Sequence, residues 1–203
     1  MAFPKIRPAG GGERAQYLLR DYNDNTIRFV LNYPGLVDPD VLRKAAKAVI
    51  ESVDVLHGTF FSDGTMAYWH INEDVGETNY FHYVETEGDP FKTAASLALL
   101  PIYPEDKVQM LVTLVQSEAS SCIVIQQSHL VVDGGDGKYL IGKLVEAYNM
   151  ILEIGNADTL EVKDGSRAPE KVYEKLGMSD MKELMSNPLS SVVTRAIPTS
   201  VLG

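Results

Sequence analysis

Through Ile27, Phe29, Leu31 and Tyr33 apolar side chains alternate with Arg28, Val30 and Asn32, the period of two expected of a half-buried strand, and Pro34-Gly35 ends it. The period then lengthens. Asp38 before Pro39 supplies a side-chain cap and a proline at the first helical position. Leu42, Ala45, Ala46, Val49, Ile50 and Val53 follow at spacings of three and four, so a helix buries that stripe while Arg43, Lys44 and Lys47 face water. Residues 59–61 and 66–71 flank Ser62-Asp63-Gly64-Thr65 and predict a hairpin around Trp69, because Asp-Gly takes the positive φ of a tight turn. Residues 72–92 are polar and acidic, a loop with one short strand at 80–84, and a short helix at 93–100 is stopped by Pro101. Residues 108–116 and 121–127 predict an antiparallel pair of long strands. Leu140, Ile141, Leu144, Val145, Tyr148, Ile151 and Leu152 place a long helix over 138–154, closed by Gly155-Asn156.

The flanks carry weaker patterns. Residues 1–24 are rich in Gly, Pro, Asp and Asn and predict an extended lead-in. Within them, Gly10-Gly11-Gly12 lacks the strand before and helix after that a phosphate loop needs, and reads as flexible chain. Residues 25–160 form the globular lobe. Residues 161–203 predict a helical connector, with helices near 169–176 and 180–185 and with Met178, Met181 and Met185 at helical spacing, suited to a core or to an absent partner lobe.

Composition narrows the function classes. Of 203 residues, 45% are hydrophobic, enough for a sizeable core. A net charge of −10 without clustered Lys or Arg argues against nucleic acid and against an anionic membrane surface. One cysteine, Cys122, lies in an apolar run and reads as a small buried hydrophobe in a reducing compartment. With no secretory h-region in the first residues and no run of 18 apolar residues, the expectation is a cytoplasmic protein. His57, His70, His82 and His129 are too scattered for a zinc site, the Asp133–Gly137 stretch lacks the ligand spacing of a calcium loop, and Gly-x-Ser-x-Gly is absent. No metal is expected.

The informative stretch is Gln127-Ser128-His129-Leu130-Val131-Val132-Asp133-Gly134-Gly135. A strand delivers His129 to the edge of a sheet, and Asp133-Gly134-Gly135 predicts a sharp reversal before the long helix. On the bare pattern a lone histidine beside apolar residues is more often structural. Its titration near neutral pH nevertheless suits a general base, while Asp133 is placed to bind the turn's own backbone or a nearby cation.

The succession of strand, Asp-Pro-capped helix, hairpin, long strand pair, His-x-x-x-Asp-Gly and long helix resembles the N-terminal half of the condensation-domain and chloramphenicol acetyltransferase superfamily of acyltransferases. That family's motif is His-His-x-x-x-Asp-Gly. Ser128-His129-Leu130-Val131-Val132-Asp133-Gly134 matches its second histidine, aspartate and glycine, and the segments 36–42 and 55–60 extend the similarity across roughly residues 25–155. The resemblance implies an α/β fold: a two-layer sandwich in which a mixed, largely antiparallel sheet carries helices on one face. It implies His129 as general base and Asp133 as structural support. Gly134, Gly135 and Ser128 then line the substrate. The donor is an acyl thioester of coenzyme A or of the phosphopantetheine arm of a carrier protein, a co-substrate and not a resident cofactor.

Three departures from the family pattern shape the alternatives. Ser128 replaces the first histidine, and His57 stands where the family often has an arginine that pairs with the motif aspartate, leaving His57 as the partner to consider for Asp133. Two-lobed members are also about twice as long, so the expectation is a first lobe completed by a second lobe or by self-association. A non-catalytic module that binds a carrier protein or partner lobe is the competing reading.

Overall fold

The computed structural model describes residues 5–75 and 79–163 of the chain. In chain order they form β1 (Lys5–Pro8), α1 (Gly11–Leu18), β2 (Thr26–Tyr33), α2 (Pro39–Glu51), a 3-10 turn (Asp54–His57), β3 (Gly58–Ser62), β4 (Ala67–Ile71), β5 (Phe81–Glu85), α3 (Pro90–Leu97), β6 (Met110–Gln116), β7 (Ser121–Ser128) and α4 (Gly134–Ile154).

Local chemistry accounts for most boundaries. Asp38 accepts from the amides of Asp40 (2.9 Å) and Val41 (3.0 Å) and starts α2 with Pro39 in its first turn. Asp89 and Pro90 repeat that signature at the start of α3, which places this helix three residues upstream of its expected position. Gly64 takes φ 88° in the β3–β4 turn, and Gly155 takes φ 86° where its amide closes α4 on the Ile151 carbonyl.

The strands form two sheets. A four-stranded sheet runs β2-β7-β6-β5, antiparallel except for the parallel β5–β6 pair, and a three-stranded antiparallel sheet runs β1-β4-β3. Helices α2 and α4 cover one face of the larger sheet: Ala45, Ala46, Val49 and Ile50 of α2 share a core with Leu140, Leu144 and Ala147 of α4 and with Val112, Leu114 and Ile125. This is the expected α/β arrangement of a mixed, largely antiparallel sheet with helices packed on a face. The short α3 adds a second, smaller core on the opposite face, where Ala94 and Ala98 meet Val115, Cys122 and Val124. Burial pushes the Cys122 thiol pKa upward, with a further push from Asp89, which keeps it an inert apolar group.

The lead-in departs from the extended chain expected for residues 1–24. β1 pairs with β4 and α1 follows it closely, so a strand does precede the glycines: Gly10 caps the helix and Gly11-Gly12 begin it. Two glycines give α1 a poor intrinsic helix propensity, and tertiary contacts overcome it. Glu13 is buried; its carboxylate accepts from the Gly10 amide at the helix start and from the Trp69 indole at 3.1 Å. Tyr17 packs on Phe60, whose ring meets Trp69 edge-on. The Glu13 carboxylate fills the helix N-terminus where a phosphate would sit. The helices expected near 169–176 and 180–185, and the methionines there, lie outside the described residues.

Replacing Glu13 by Ala leaves a buried indole N–H without its acceptor and should cost about 1–3 kcal/mol, read as a lower urea midpoint at unchanged slope. An unchanged midpoint would show that α1 contributes nothing to the seating of Trp69.

Candidate functional site

β7 ends at Ser128, and the next residues turn back at once: the amides of Val131 (3.0 Å) and Val132 (3.2 Å) both donate to the Ser128 carbonyl. Leu130, Val131 and Val132 are 2%, 1% and 5% exposed and belong to the main core. Their burial leaves His129 and Asp133, on either side of the trio, as the exposed residues. The His129 amide is tied to the Asn25 carbonyl just before β2, at 2.7 Å.

The imidazole is held by its own turn. His129 Nδ1 lies 3.0 Å from the Val132 carbonyl oxygen. A carbonyl only accepts, so Nδ1 carries the proton in this bond and the neutral ring keeps its lone pair on Nε2. None of the described residues hydrogen-bonds that Nε2.

Asp133 Oδ1 accepts from the amides of Gly135 (2.7 Å) and Asp136 (2.8 Å), capping α4. The aspartate thus binds backbone. The sharp reversal expected at Asp133-Gly134-Gly135 is absent: the cap starts α4 at Gly134, four residues before the expected Lys138, and neither glycine has positive φ. Gly134 is exposed, with no atom within 4 Å of the place a Cβ would occupy. Gly135 is exposed, but its amide is spent on Asp133.

Ser128 and His57 point to structural duties. Ser128 is 1% exposed and its hydroxyl accepts from the Leu130 amide, so it braces the turn from inside and lines no open surface. His57 is buried at the end of the 3-10 turn; its Nδ1 donates to the Asn72 carbonyl at 2.7 Å and its Nε2 has no hydrogen-bond partner. Neither nitrogen reaches Asp133, so the pairing considered for these two residues is not formed.

The structure adds residues that the motif did not name. Gly137 is buried on α4 against β2 and β7, where a Cβ would lie 2.7 Å from Gln127 Oε1 and 2.9 Å from Phe29 Cε2. Its place on the inward face follows from the spacing Gly137, Leu140, Leu144, Ala147, Ile151, a signal present in the sequence. Val132 and Asn25 act through backbone carbonyls, for which side-chain identity carries no signal. A cavity of about 870 Å³ lined by Tyr83, Glu85 and Gln116 lies at the opposite end of the sheet. Seven residues of β7, about 23 Å, separate that end from His129. Among the described residues no group of three His, Cys, Asp or Glu is placed to hold a metal, and no helix is long and apolar enough to cross a membrane.

This architecture is the fold of solved condensation domains. The chain superposes on the starter condensation domain of rhizomide synthetase RzmA with a TM-score of 0.69 at 15% identity, over 91% of this chain and 47% of that one. On the first condensation domain of the calcium-dependent antibiotic synthetase the TM-score is 0.70 at 14% identity, over 96% and 49%. Polyketide synthase associated protein 5 from Mycobacterium tuberculosis gives 0.64 at 18% identity, over 91% and 44%. In sequence, 120 residues are 27% identical to Nonribosomal peptide synthetase 6 of Aspergillus fumigatus, 57% of this chain and 9% of that protein. No protein-family model matches. The chain spans about half the length of these solved domains.

Substituting Asp133 by Ala removes the α4 cap and should cost about 0.5–2 kcal/mol, whereas Asn, which accepts the same two amide bonds, should recover most of it. Equal urea midpoints for the two variants would contradict a capping role.

Proposed function

We propose that the chain is the N-terminal lobe of a condensation-type acyltransferase, with His129 as general base. One observation carries this reading: an exposed imidazole whose Nδ1 is bound to the Val132 carbonyl, so that the lone pair of the neutral ring falls on Nε2. Nε2 takes the proton from an acceptor hydroxyl or amine as its lone pair attacks the thioester carbonyl. The carbon–sulfur bond then breaks, and the departing thiolate takes the proton from the imidazolium. Asp133 holds the helix start, and the open side of Gly134 leaves room for a thioester arm.

The donor is coenzyme A or a phosphopantetheine-bearing carrier protein, and the likeness to condensation domains favours the carrier protein. A second lobe, or a second copy of the chain, supplies the other wall of the site. A non-catalytic module is the alternative, and His57 favours it: the residue standing in for the family arginine is bonded to Asn72 and serves the core, not the motif.

Release of thiol from an acetyl N-acetylcysteamine thioester, with a primary amine as acceptor, tests both readings. His129→Ala should lower the rate by about 10²–10⁴. Equal rates above background for variant and wild type would refute the base assignment, and a wild-type rate no higher than background in the two-lobed protein would favour the binding module.

A further inference from the structure

Gly137 lies where α4 comes too close to the sheet for a side chain to fit without a shift. A Cβ there would lie 2.7 Å from Gln127 Oε1 and 2.9 and 3.0 Å from Cε2 and Cζ of Phe29, closer than such contacts allow. Both contacts are side-chain ends that would have to shift: Gln127 is fully buried and Phe29 is half-buried. Gln127 is 0% exposed, on a strand paired on both sides, with its amide nitrogen 3.7 Å from Met110 Sδ. Phe29 packs against the main core from the next strand.

The start of α4 is coupled to the histidine turn through a short chain of bonds. The Gly137 amide donates to the Asp133 carbonyl at 2.8 Å, and the Asp133 carboxylate binds the amides of Gly135 and Asp136, so Asp133 and the first turn move together. Val132, the next residue upstream, offers the carbonyl that accepts from His129 Nδ1. At the other end the turn is fixed by the His129 bond to Asn25 and by the two bonds to the Ser128 carbonyl. A lift of the helix start is therefore absorbed between Val132 and Asp133.

We infer that Gly137 is a positioning residue for His129: the missing side chain lets α4 seat on Gln127 and Phe29, and that seat holds the Val132 carbonyl that selects the Nδ1–H tautomer. The inference rests on the proposed role of His129 as base, but its first readout does not require catalysis. Gly142 supplies the control, since it lies in the same helix with nothing within 4 Å of its Cβ position. Both Gly→Ala changes reduce the freedom of the unfolded chain, and the one at position 137 alone disturbs the seat.

The test compares Gly137→Ala and Gly142→Ala in the full chain by nitrogen-15 resonances of the histidine rings, with His129 assigned by its loss in His129→Ala. Gly142→Ala should keep the wild-type Nδ1–H signature and raise the melting temperature. Gly137→Ala should lower the melting temperature, give mixed tautomers at His129 and slow release of thiol from the acetyl N-acetylcysteamine thioester about tenfold or more. Adding Gln127→Ala to Gly137→Ala removes the closest contact and leaves a space into which the half-buried Phe29 ring can shift, and should restore the signature. A folded Gly137→Ala protein with wild-type His129 resonances overturns the inference. A changed tautomer with unchanged thiol release upholds the seat and refutes the base assignment. Where Gly137→Ala does not fold, the double variant decides: folded with wild-type resonances it supports the seat, and unfolded it overturns it.

Discussion

Burial of Leu130, Val131 and Val132 between two exposed polar residues is the constraint on which the candidate site depends. Three apolar side chains driven into the main core bring the chain back under the end of β7, and the two Ser128 carbonyl bonds satisfy the turn's inner amides. With the trio fixed, the Val132 carbonyl faces the imidazole and Asp133 falls at the first position from which a carboxylate can cap α4. Apolar packing thus sets both the tautomer of His129 and the starting point of a 21-residue helix.

Around this turn the structure tolerates unusual polarity. Gln126, Gln127 and Ser128 end a strand buried on both faces, and each has an assigned contact: the Leu100 carbonyl, Met110 Sδ and the Leu130 amide. Gln109, opposite the end of the same strand, donates to the carbonyls of Gly58 and Asp106 and ties the smaller sheet to the larger. The amide nitrogens of Gln109 and Gln127 are thus held while their side-chain oxygens are buried without a hydrogen-bond partner, and any displacement that also freed the nitrogens would add to that cost. These contacts make the end of β7 a rigid platform, the support that a base needs to meet its acceptor in one geometry.

The smaller sheet and α1 buttress the same end of the molecule. Glu13 links the α1 start to Trp69, Tyr17 stacks toward Phe60, and Asn25, beyond α1, donates to the Gln16 carbonyl while its own carbonyl receives the His129 amide. Residues far from the motif in sequence therefore reach its backbone through two or three contacts. The site borrows its precision from elements that carry none of its chemistry.

Periodicity located β2, α2 and most of α4, because the side-chain repeat of a strand or helix records which face is buried, and apolar runs about a polar turn located the β3–β4 and β6–β7 pairs. The signature Asp89-Pro90 was equally present and marks the true start of α3. His129, Asp133 and Gly134 stood out as residue types with a chemical use, and the structure keeps His129 and Gly134 exposed and Asp133 in a cap. What composition could not convey was α1, whose glycines disfavour a helix until Glu13 and Trp69 meet. Nor could it convey the inward burial of Ser128 and His57, the service of Val132 and Asn25 through carbonyls common to every residue, or the contact of Gly137 with two other strands. Those depend on which surfaces approach in three dimensions, and only tertiary packing decides that.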